Sequence, residues 1–144
     1  MKKRIIILGS TGSIGTSTLD IIRKDKKNFD IVLLSANNNY KKLIKQAIEF
    51  NVTNVLIYNK KFFEIVRDVL KKRNIRVFTG DVPINTIIKK KVDYSMSSIV
   101  GLAGLQPTID VIKLSKTVAL ANKETIICSW NILSKLVKKY KTKL

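Results

Sequence analysis

The chain has 144 residues, enough for one domain with a sizeable core, and carries a formal net charge of +18 from 28 Lys and Arg against 10 Asp and Glu. One cysteine and no histidine exclude, within this chain, an internal disulfide, a Cys/His zinc site and histidine-assisted nucleophilic catalysis. No apolar run approaches the roughly 18 residues of a membrane span. The four apolar residues after the basic start are too few for a signal peptide, so we expect a cytoplasmic protein without a membrane partner.

The positive charge is mostly lysine and is spread in short clusters, such as Lys71-Lys72-Arg73 and Lys89-Lys90-Lys91. Each cluster falls near a predicted helix end or polar helix face, where lysine complements the helix dipole. We therefore expect a solvated surface. A basic nucleic-acid-binding module is the alternative, and its affinity for any duplex would fall steeply with salt.

Short β-branched runs alternate with segments of helical spacing along the chain. Six runs predict strands: Arg4–Leu8, Phe29–Ala36, Val52–Tyr58, Ile75–Phe78, Val92–Val100 and Thr117–Ala121. Helices are predicted to follow each strand. This alternation predicts an α/β fold, a doubly wound parallel sheet of the Rossmann type with about six strands, in one domain over residues 1–144.

The first and last helices each have a predicted apolar face. On the first helix the face is Ile14, Thr18, Ile21 and Ile22, and on the last it is Ile126, Trp130, Leu133, Val137 and Tyr140. The single cysteine, Cys128, lies among these apolar residues and is expected to be a small buried side chain.

The first strand ends in a glycine-punctuated turn, Gly9-Ser10-Thr11-Gly12-Ser13-Ile14-Gly15, which opens the first helix. Gly12 and Gly15 match the second and third glycines of the dinucleotide fingerprint G-x-G-x-x-G, while Gly9 lies one position early. Such a turn presents backbone N–H groups at the positive end of a helix dipole, which favours a phosphate. A tight turn without a ligand is the alternative.

The residues after the second strand indicate which dinucleotide is bound. An NAD site has an Asp or Glu there, which binds the ribose 2′-hydroxyl. This chain has Asn37-Asn38-Asn39, followed by Lys41 and Lys42. No carboxylate repels a 2′-phosphate and the amides can donate to it, so the sequence favours NADP(H) over NAD. The asparagines also suit a simple turn.

Ligands of such sheets bind outside the carboxyl ends of the strands, so Ser97–Gly104 and Asn122-Lys123-Glu124 should lie near the nicotinamide. There Lys123 would pair with an anionic substrate, Asn122 would bind ribose or amide groups, and Glu124 would hold a hydroxyl or pair with Lys123. A capped helix start with a surface charge pair is the alternative.

Three segments together resemble one enzyme family: the glycine turn with Ser17-Thr18-Leu19-Asp20 behind it, Ile99–Thr108, and Leu120-Ala121-Asn122-Lys123-Glu124. The whole chain resembles the N-terminal NADPH-binding domain of 1-deoxy-D-xylulose 5-phosphate reductoisomerase. The resemblance implies an NADPH-dependent oxidoreductase that makes 2-C-methyl-D-erythritol 4-phosphate from a sugar phosphate in isoprenoid biosynthesis. It also implies a homodimeric complete enzyme.

The family's cofactor contacts can be carried over onto this sequence. The NADPH contacts would fall on Thr11, Gly12, Ser13, Ile14, Asn37, Asn38, Asn39, Asn122 and Glu124. Lys123 would contact the phosphorylated sugar substrate. The family's 2′-phosphate turn reads Gly-Lys-Asn, and only Asn39 matches it here.

The resemblance further implies a divalent metal, Mg²⁺ or Mn²⁺, in the complete enzyme, held by an acidic cluster beyond the Lys-Glu motif. We therefore expect a fragment with no catalytic residue or metal ligand of its own, which binds NADPH weakly and does not turn over. Another NADP-dependent reductase with a Gly-x-x-Gly-x-x-Gly turn, such as a homoserine or semialdehyde dehydrogenase relative, is the alternative. Those enzymes lack the Leu-Ala-Asn-Lys-Glu segment in this setting.

Overall fold

The computed structural model describes all 144 residues and contains one six-stranded sheet in which all neighbouring strands are parallel. The strands are β1 (Lys3–Leu8), β2 (Phe29–Ala36), β3 (Asn54–Ile57), β4 (Arg76–Thr79), β5 (Val92–Ser97) and β6 (Ser115–Leu120). The helices are α1 (Ser13–Arg23), α2 (Tyr40–Glu49), α3 (Phe63–Lys71), α4 (Ile84–Ile87), α5 (Leu105–Leu114) and α6 (Lys123–Tyr140).

The strand order is β4-β3-β2-β1-β5-β6, so the direction of winding reverses between β1 and β5. Helices α1 to α3 contribute to the core on one face of the sheet, and α4 to α6 contribute to the core on the other. The prediction of a doubly wound parallel sheet with about six strands is therefore confirmed. Because of this reversal, the loops after β1 and β5 lead to helices on opposite faces of the sheet, which leaves a crevice between them at its carboxyl edge.

The register of the central strands places two loops side by side at this edge. Leu8, the last residue of β1, lies opposite Ser97, the last residue of β5. The prediction that β5 continues to Val100 is wrong, because the strand ends at Ser97. The backbone N–H of Ser98 still donates to the carbonyl of Leu8, and the chain then turns at Gly101, where φ is +72°. The glycine turn and the β5–α5 loop are thus direct neighbours.

The predicted apolar face of α1 is confirmed at Ile22 but wrong at Ile14 and Ile21. Gly15, Leu19 and Ile22 are buried, whereas Ile14 and Ile21 are 47% and 69% exposed. The close approach of Gly15 to the glycine turn sets this rotation. Spacing alone could not select between the two neighbouring apolar stripes.

The predicted face of α6 is also wrong in part. Leu133 is buried as predicted, but the other fully buried positions are Thr125 and Ser129, and Trp130 is 53% exposed. Cys128, which was expected to be buried, is exposed. Along the first turns of α6 the buried side is polar, through Thr125 and Ser129, whereas Val137 further along packs against the core as predicted.

The described helices include none with both the length and the apolar character needed to cross a membrane.

Candidate cofactor-binding site

The turn between β1 and α1 is built from closely packed backbone. Gly9 has a φ of +74°, and a Cβ there would lie 2.9 Å from the carbonyl oxygen of Ser98. A Cβ on Gly15 would lie 2.2 Å from the carbonyl oxygen of Gly9. Glycine is therefore required at both positions, because a side chain on Gly9 would meet the loop after β5 and one on Gly15 would push α1 away from the turn.

Gly12 has a different role from the other two glycines. It is the N-cap of α1 in an extended conformation, and a Cβ there would meet only the carbonyl oxygen of Gly9, at 3.5 Å. The absence of a side chain at Gly12 thus leaves the start of the helix open on its outer side.

The first turn of α1 has N–H groups without acceptors. No side chain caps the helix, and the N–H groups of Ser13, Ile14 and Gly15 donate to no carbonyl of the turn. By contrast, Asn39 and Asn122 cap α2 and α6 with side-chain oxygens. Ser13 and Ile14 are exposed at this end, so an anion can reach the free N–H groups.

Two residues not identified from the sequence hold the turn in place. Gln46 is buried on α2; its Nε2 donates to the carbonyl oxygen of Ser10 (2.9 Å), and its Oε1 accepts from Ser10 Oγ (2.8 Å). Ser35 of β2 accepts the N–H of Gly9 on its hydroxyl and the N–H of Ser10 on its carbonyl. The signal for Gln46 was its place beside Leu43 and Ala47, a polar residue on the buried side of an amphipathic helix.

The turn after β2 is exposed at all three asparagines, Asn37, Asn38 and Asn39. The Oδ1 of Asn39 accepts the N–H of Lys42 and so caps α2. The Oδ1 of Asn38 accepts from Asn59 Nδ2 at 2.8 Å, which ties this turn to the loop after β3 and leaves the Asn38 amide N–H groups free. No sequence signal pointed to Asn59.

The ammonium of Lys42 links this asparagine turn to the glycine turn. Its Nζ donates to the carbonyl oxygen of Thr11 over 3.2 Å. Thr11 to Ile14 and Asn37 to Asn39, predicted separately from the sequence, therefore lie on adjacent loops.

The segment after β6 is held by the side chain of Asn122, which is 3% exposed. Its Nδ2 donates to the carbonyl oxygens of Ile99 (2.6 Å) and Gly101 (2.7 Å), and its Oδ1 accepts the N–H of Thr125. All its amide groups are thus used within the protein. Any contact of Asn122 with a cofactor would fall to its main chain.

Lys123 is exposed and Glu124 is partly exposed at the start of α6. They form no ion pair with each other. Both remain available to a ligand beside the β5–α5 loop, and their assignment to substrate and cofactor stays a prediction.

Two of the cavities beside the sheet bear on where a ligand would bind. One of about 380 Å³ lies at the carboxyl edge between Tyr58, Pro83, Ala103, Gln106 and Asp110. Burial, and then the nearby negative charge of Asp110, raise the pKa of Tyr58 far above its usual value, so this phenol stays neutral.

A larger cavity of about 670 Å³ lies over β5 and β6, between α1 and the segment that follows α6. It is lined by Ile21, Tyr94, Met96 and Thr117 among others, and none of the predicted site residues takes part. The larger cavity and the predicted phosphate-binding turn therefore lie in different parts of the molecule. The chemistry favours the glycine turn, because the free N–H groups of Ser13, Ile14 and Gly15 lie there at the N-terminus of α1, opened by the fingerprint glycines.

A comparison with protein families matches residues 5–129 to the model described as 1-deoxy-D-xylulose 5-phosphate reductoisomerase. The reductoisomerase of Pelagibacter ubique strain HTCC1062 is 53% identical over 142 residues, which are 97% of this chain and 37% of that protein. The reductoisomerase of Thermoanaerobacter sp. strain X514 is 44% identical over 95% of this chain and 36% of its own length. The chain thus spans little more than a third of these relatives.

Solved structures of such enzymes have the same fold. The reductoisomerase from Zymomonas mobilis in complex with NADPH superposes with a TM-score of 0.93 at 30% identity, covering 100% of this chain and 38% of the other. A reductoisomerase in complex with NADPH, fosmidomycin and magnesium gives a TM-score of 0.88 at 29% identity, over 97% of this chain and 35% of the other.

Proposed function

Since the chain belongs to the 1-deoxy-D-xylulose 5-phosphate reductoisomerase family, we propose that residues 1–144 form the NADPH-binding domain of such an enzyme. The activity would be the NADPH-dependent conversion of 1-deoxy-D-xylulose 5-phosphate to 2-C-methyl-D-erythritol 4-phosphate in isoprenoid biosynthesis. The observation that carries the proposal is the uncapped N-terminus of α1, with its free N–H groups at the carboxyl edge of the sheet.

The residues of the glycine turn fit a pyrophosphate. Gly12 leaves the helix start open, and Gly9 and Gly15 let the turn pack against the loop after β5. The N–H groups of Ser13 and Ile14 would donate to the phosphate oxygens, and the helix dipole would favour their negative charge. The asparagine turn has no carboxylate to repel a 2′-phosphate, which supports NADPH over NADH.

The remaining predicted residues would act toward the reacting end of the cofactor. NADPH, when bound, supplies a hydride. The β5–α5 loop and the start of α6 are clamped together by Asn122, which would give the nicotinamide end a rigid wall. Lys123 would attract the phosphorylated sugar, and Glu124 would accept from a hydroxyl group.

A divalent metal does not fit the residues described here. No three of the His, Cys, Asp and Glu side chains lie close enough to hold an ion. Magnesium occurs in a solved structure of the family, and this chain supplies no ligand cluster for it. A homodimeric complete enzyme and a cytoplasmic location stay predictions, which the family resemblance supports.

Calorimetric titration with NADPH tests the proposal, with the chain shown to be folded by circular dichroism. We expect saturable binding that NADH reproduces only weakly. In Gly12→Asp, a carboxylate would cap α1 and occupy the phosphate position, so the variant should be at least as stable as the wild type while its affinity falls tenfold or more. Gly12→Asn is the matched uncharged control and should lose less affinity.

Two outcomes would contradict different parts of the proposal, the cofactor and the position of its site. A folded wild-type chain that gives no heat with NADPH contradicts the cofactor assignment. A Gly12→Asp variant that binds NADPH as the wild type does contradicts the assignment of the site to the glycine turn.

A further inference from the structure

We propose that the ammonium group of Lys42 binds the 2′-phosphate of NADPH and is the residue by which this chain selects NADPH over NADH. The inference rests on the proposed function, because it assigns one group of the cofactor to one side chain. It goes beyond the predicted site residues Asn37, Asn38 and Asn39, because the sequence placed Lys41 and Lys42 just beyond them without assigning the 2′-phosphate to either.

The position of Lys42 supports this assignment. The residue lies in the first turn of α2, directly after the asparagine turn, and its side chain reaches back to the carbonyl oxygen of Thr11. That single hydrogen bond uses one of the three N–H donors of an ammonium group. The side chain is partly buried, so its head is held between the two loops rather than moving freely in solvent.

The positive charge of Lys42 lies beside the positive ends of two helices, which is unfavourable until an anion binds there. The N-termini of α1 and α2 both lie beside the two loops, and neither helix has an acidic residue in its first turn. The acidic side chains of these helices, Asp20 and Glu49, both pair with Arg23 instead, toward the opposite helix ends. Two positive helix ends and an ammonium therefore converge without a counter-charge, whereas cations are normally found at helix C-termini.

The 2′-phosphate is the part of the cofactor whose charge and position fit this gap. In a dinucleotide fold the pyrophosphate takes the N-terminus of the first helix, and the adenosine ribose lies at the end of the second strand. A phosphate on that ribose would come between the glycine turn and the asparagine turn. The free amide N–H groups of Asn38 can donate to it there. Lys42 adds a full positive charge, because its ammonium is held at the glycine turn by Thr11 while its backbone N–H is bound to Asn39 of the asparagine turn.

Dissociation constants for NADPH and NADH, measured by calorimetry on the folded chain, test the inference. In Lys42→Met the NADPH affinity should fall by about tenfold or more, the loss expected for one charge-assisted hydrogen bond, while the NADH affinity changes by less than about twofold. Lys41→Met is the matched control, because it removes the same charge from the exposed neighbouring position on the same helix turn. It should leave both affinities within about twofold of the wild type. Lys42→Arg, which keeps the charge, should keep the preference for NADPH.

The possible results test the assignment of Lys42 and the proposed function separately. If Lys42→Met keeps the wild-type ratio of the two dissociation constants, or loses both affinities equally, Lys42 does not read the 2′-phosphate. If Lys42→Met does not fold, loss of the NADPH preference in Lys42→Arg overturns the inference and its retention supports it. If the folded wild type binds neither nucleotide, the proposed function itself fails and the inference falls with it.

Discussion

Gly15 shows how a single missing side chain positions the candidate site. It lies on the buried side of α1, and its Cα faces the backbone of Gly9 and Ser10. Because the helix can approach the turn this closely, its free N–H groups lie at the crevice rather than above it. The same contact sets the rotation of α1 and leaves Ile14 and Ile21 exposed.

Replacing Gly15 with alanine tests this contact. Ala normally raises the free energy of unfolding by about 1 kcal/mol relative to Gly within a helix. Here we expect a decrease of about 1–3 kcal/mol, because the new methyl would lie 2.2 Å from the Gly9 carbonyl oxygen. Urea denaturation measures the change. Gly12→Ala has room for its methyl and should lose only the roughly 0.5–1 kcal/mol by which Gly is preferred over Ala at an N-cap; a Gly15→Ala variant as stable as the wild type would show that the approach is looser.

The polar residues behind the turn could be found from the sequence only in part. Gln46 interrupts an apolar helix face, which indicates a buried hydrogen-bonding role, but its partner Ser10 is 36 positions away. The pairing of Asn38 with Asn59 likewise joins two loops 21 positions apart. Such pairs depend on which strands are neighbours, and no local pattern encodes that.

At the level of elements, the loops after β5 and β6 behave as one unit. Asn122 caps α6 and at the same time binds two carbonyls of the β5–α5 loop, and a Cβ on Gly104 would lie 2.7 Å from its Nδ2. The sequence indicated these segments as site residues because they follow strands. It could not indicate that Asn122 acts mainly within the protein, since an asparagine before a helix has the same appearance in either role.

The amino edge of the sheet is joined through Asp93 at the start of β5. Its carboxylate accepts from Lys116 Nζ of β6 (2.7 Å) and from the backbone N–H of Arg4 of β1 (2.9 Å). The hydrogen bond from Lys116, and then that from Arg4, hold the pKa of Asp93 below its ordinary value of 3.8. One carboxylate thus links three neighbouring strands.

This lowered pKa predicts how stability depends on pH. A carboxylate whose pKa is lowered by folding adds stability above its unfolded-state pKa, and this is lost as the pH falls through the folded-state pKa. Asp93→Asn should therefore lower the melting temperature clearly at pH 6, and the difference from the wild type should shrink below about pH 4. Thermal melts at several pH values measure this. Asp68→Asn, at an exposed pair with its neighbour Arg67, should show little difference at any pH, and a growing deficit of Asp93→Asn at low pH would contradict the account.

At the scale of the whole molecule, the alternation of strands and helices was the most readable property of the sequence. Mostly β-branched runs of four to nine residues between helical segments were enough to predict six parallel strands, because parallel strands buried on both faces are typically near-continuous apolar runs. The sequence did not show which side of α1 and of α6 is buried. Both helices carry apolar residues on more than one side, and the contacts that select the buried side come from elsewhere in the chain.

The excess of positive charge also acts over the whole molecule. A net charge of +18 in 144 residues is opposed by only a few exposed ion pairs, such as Lys60–Asp81 and Lys116–Asp93. Mutual repulsion of the lysines should therefore outweigh the attraction in these pairs.

Added sodium chloride should consequently stabilise the chain. Raising it from about 10 to 150 mM shortens the screening length from about 30 to about 8 Å, which weakens repulsion among exposed lysines. We expect the urea midpoint to rise in a phosphate-free buffer, where no phosphate binds at the glycine turn. Sucrose at matched osmolarity is the control for effects unrelated to charge. A midpoint that falls with salt would mean that attractive ion pairs dominate.

The most direct test of the central claim is to map NADPH binding onto the backbone of the folded chain by ¹H–¹⁵N correlation NMR. The account predicts that the largest shifts fall on the amides of Thr11–Gly15 and Asn37–Lys42, with smaller ones in Ser98–Gly104. Amides lining the larger cavity over β5 and β6, such as those of Ile21 and Thr117, should not move. Shifts confined to that cavity, or an unchanged spectrum at millimolar NADPH, would contradict the account.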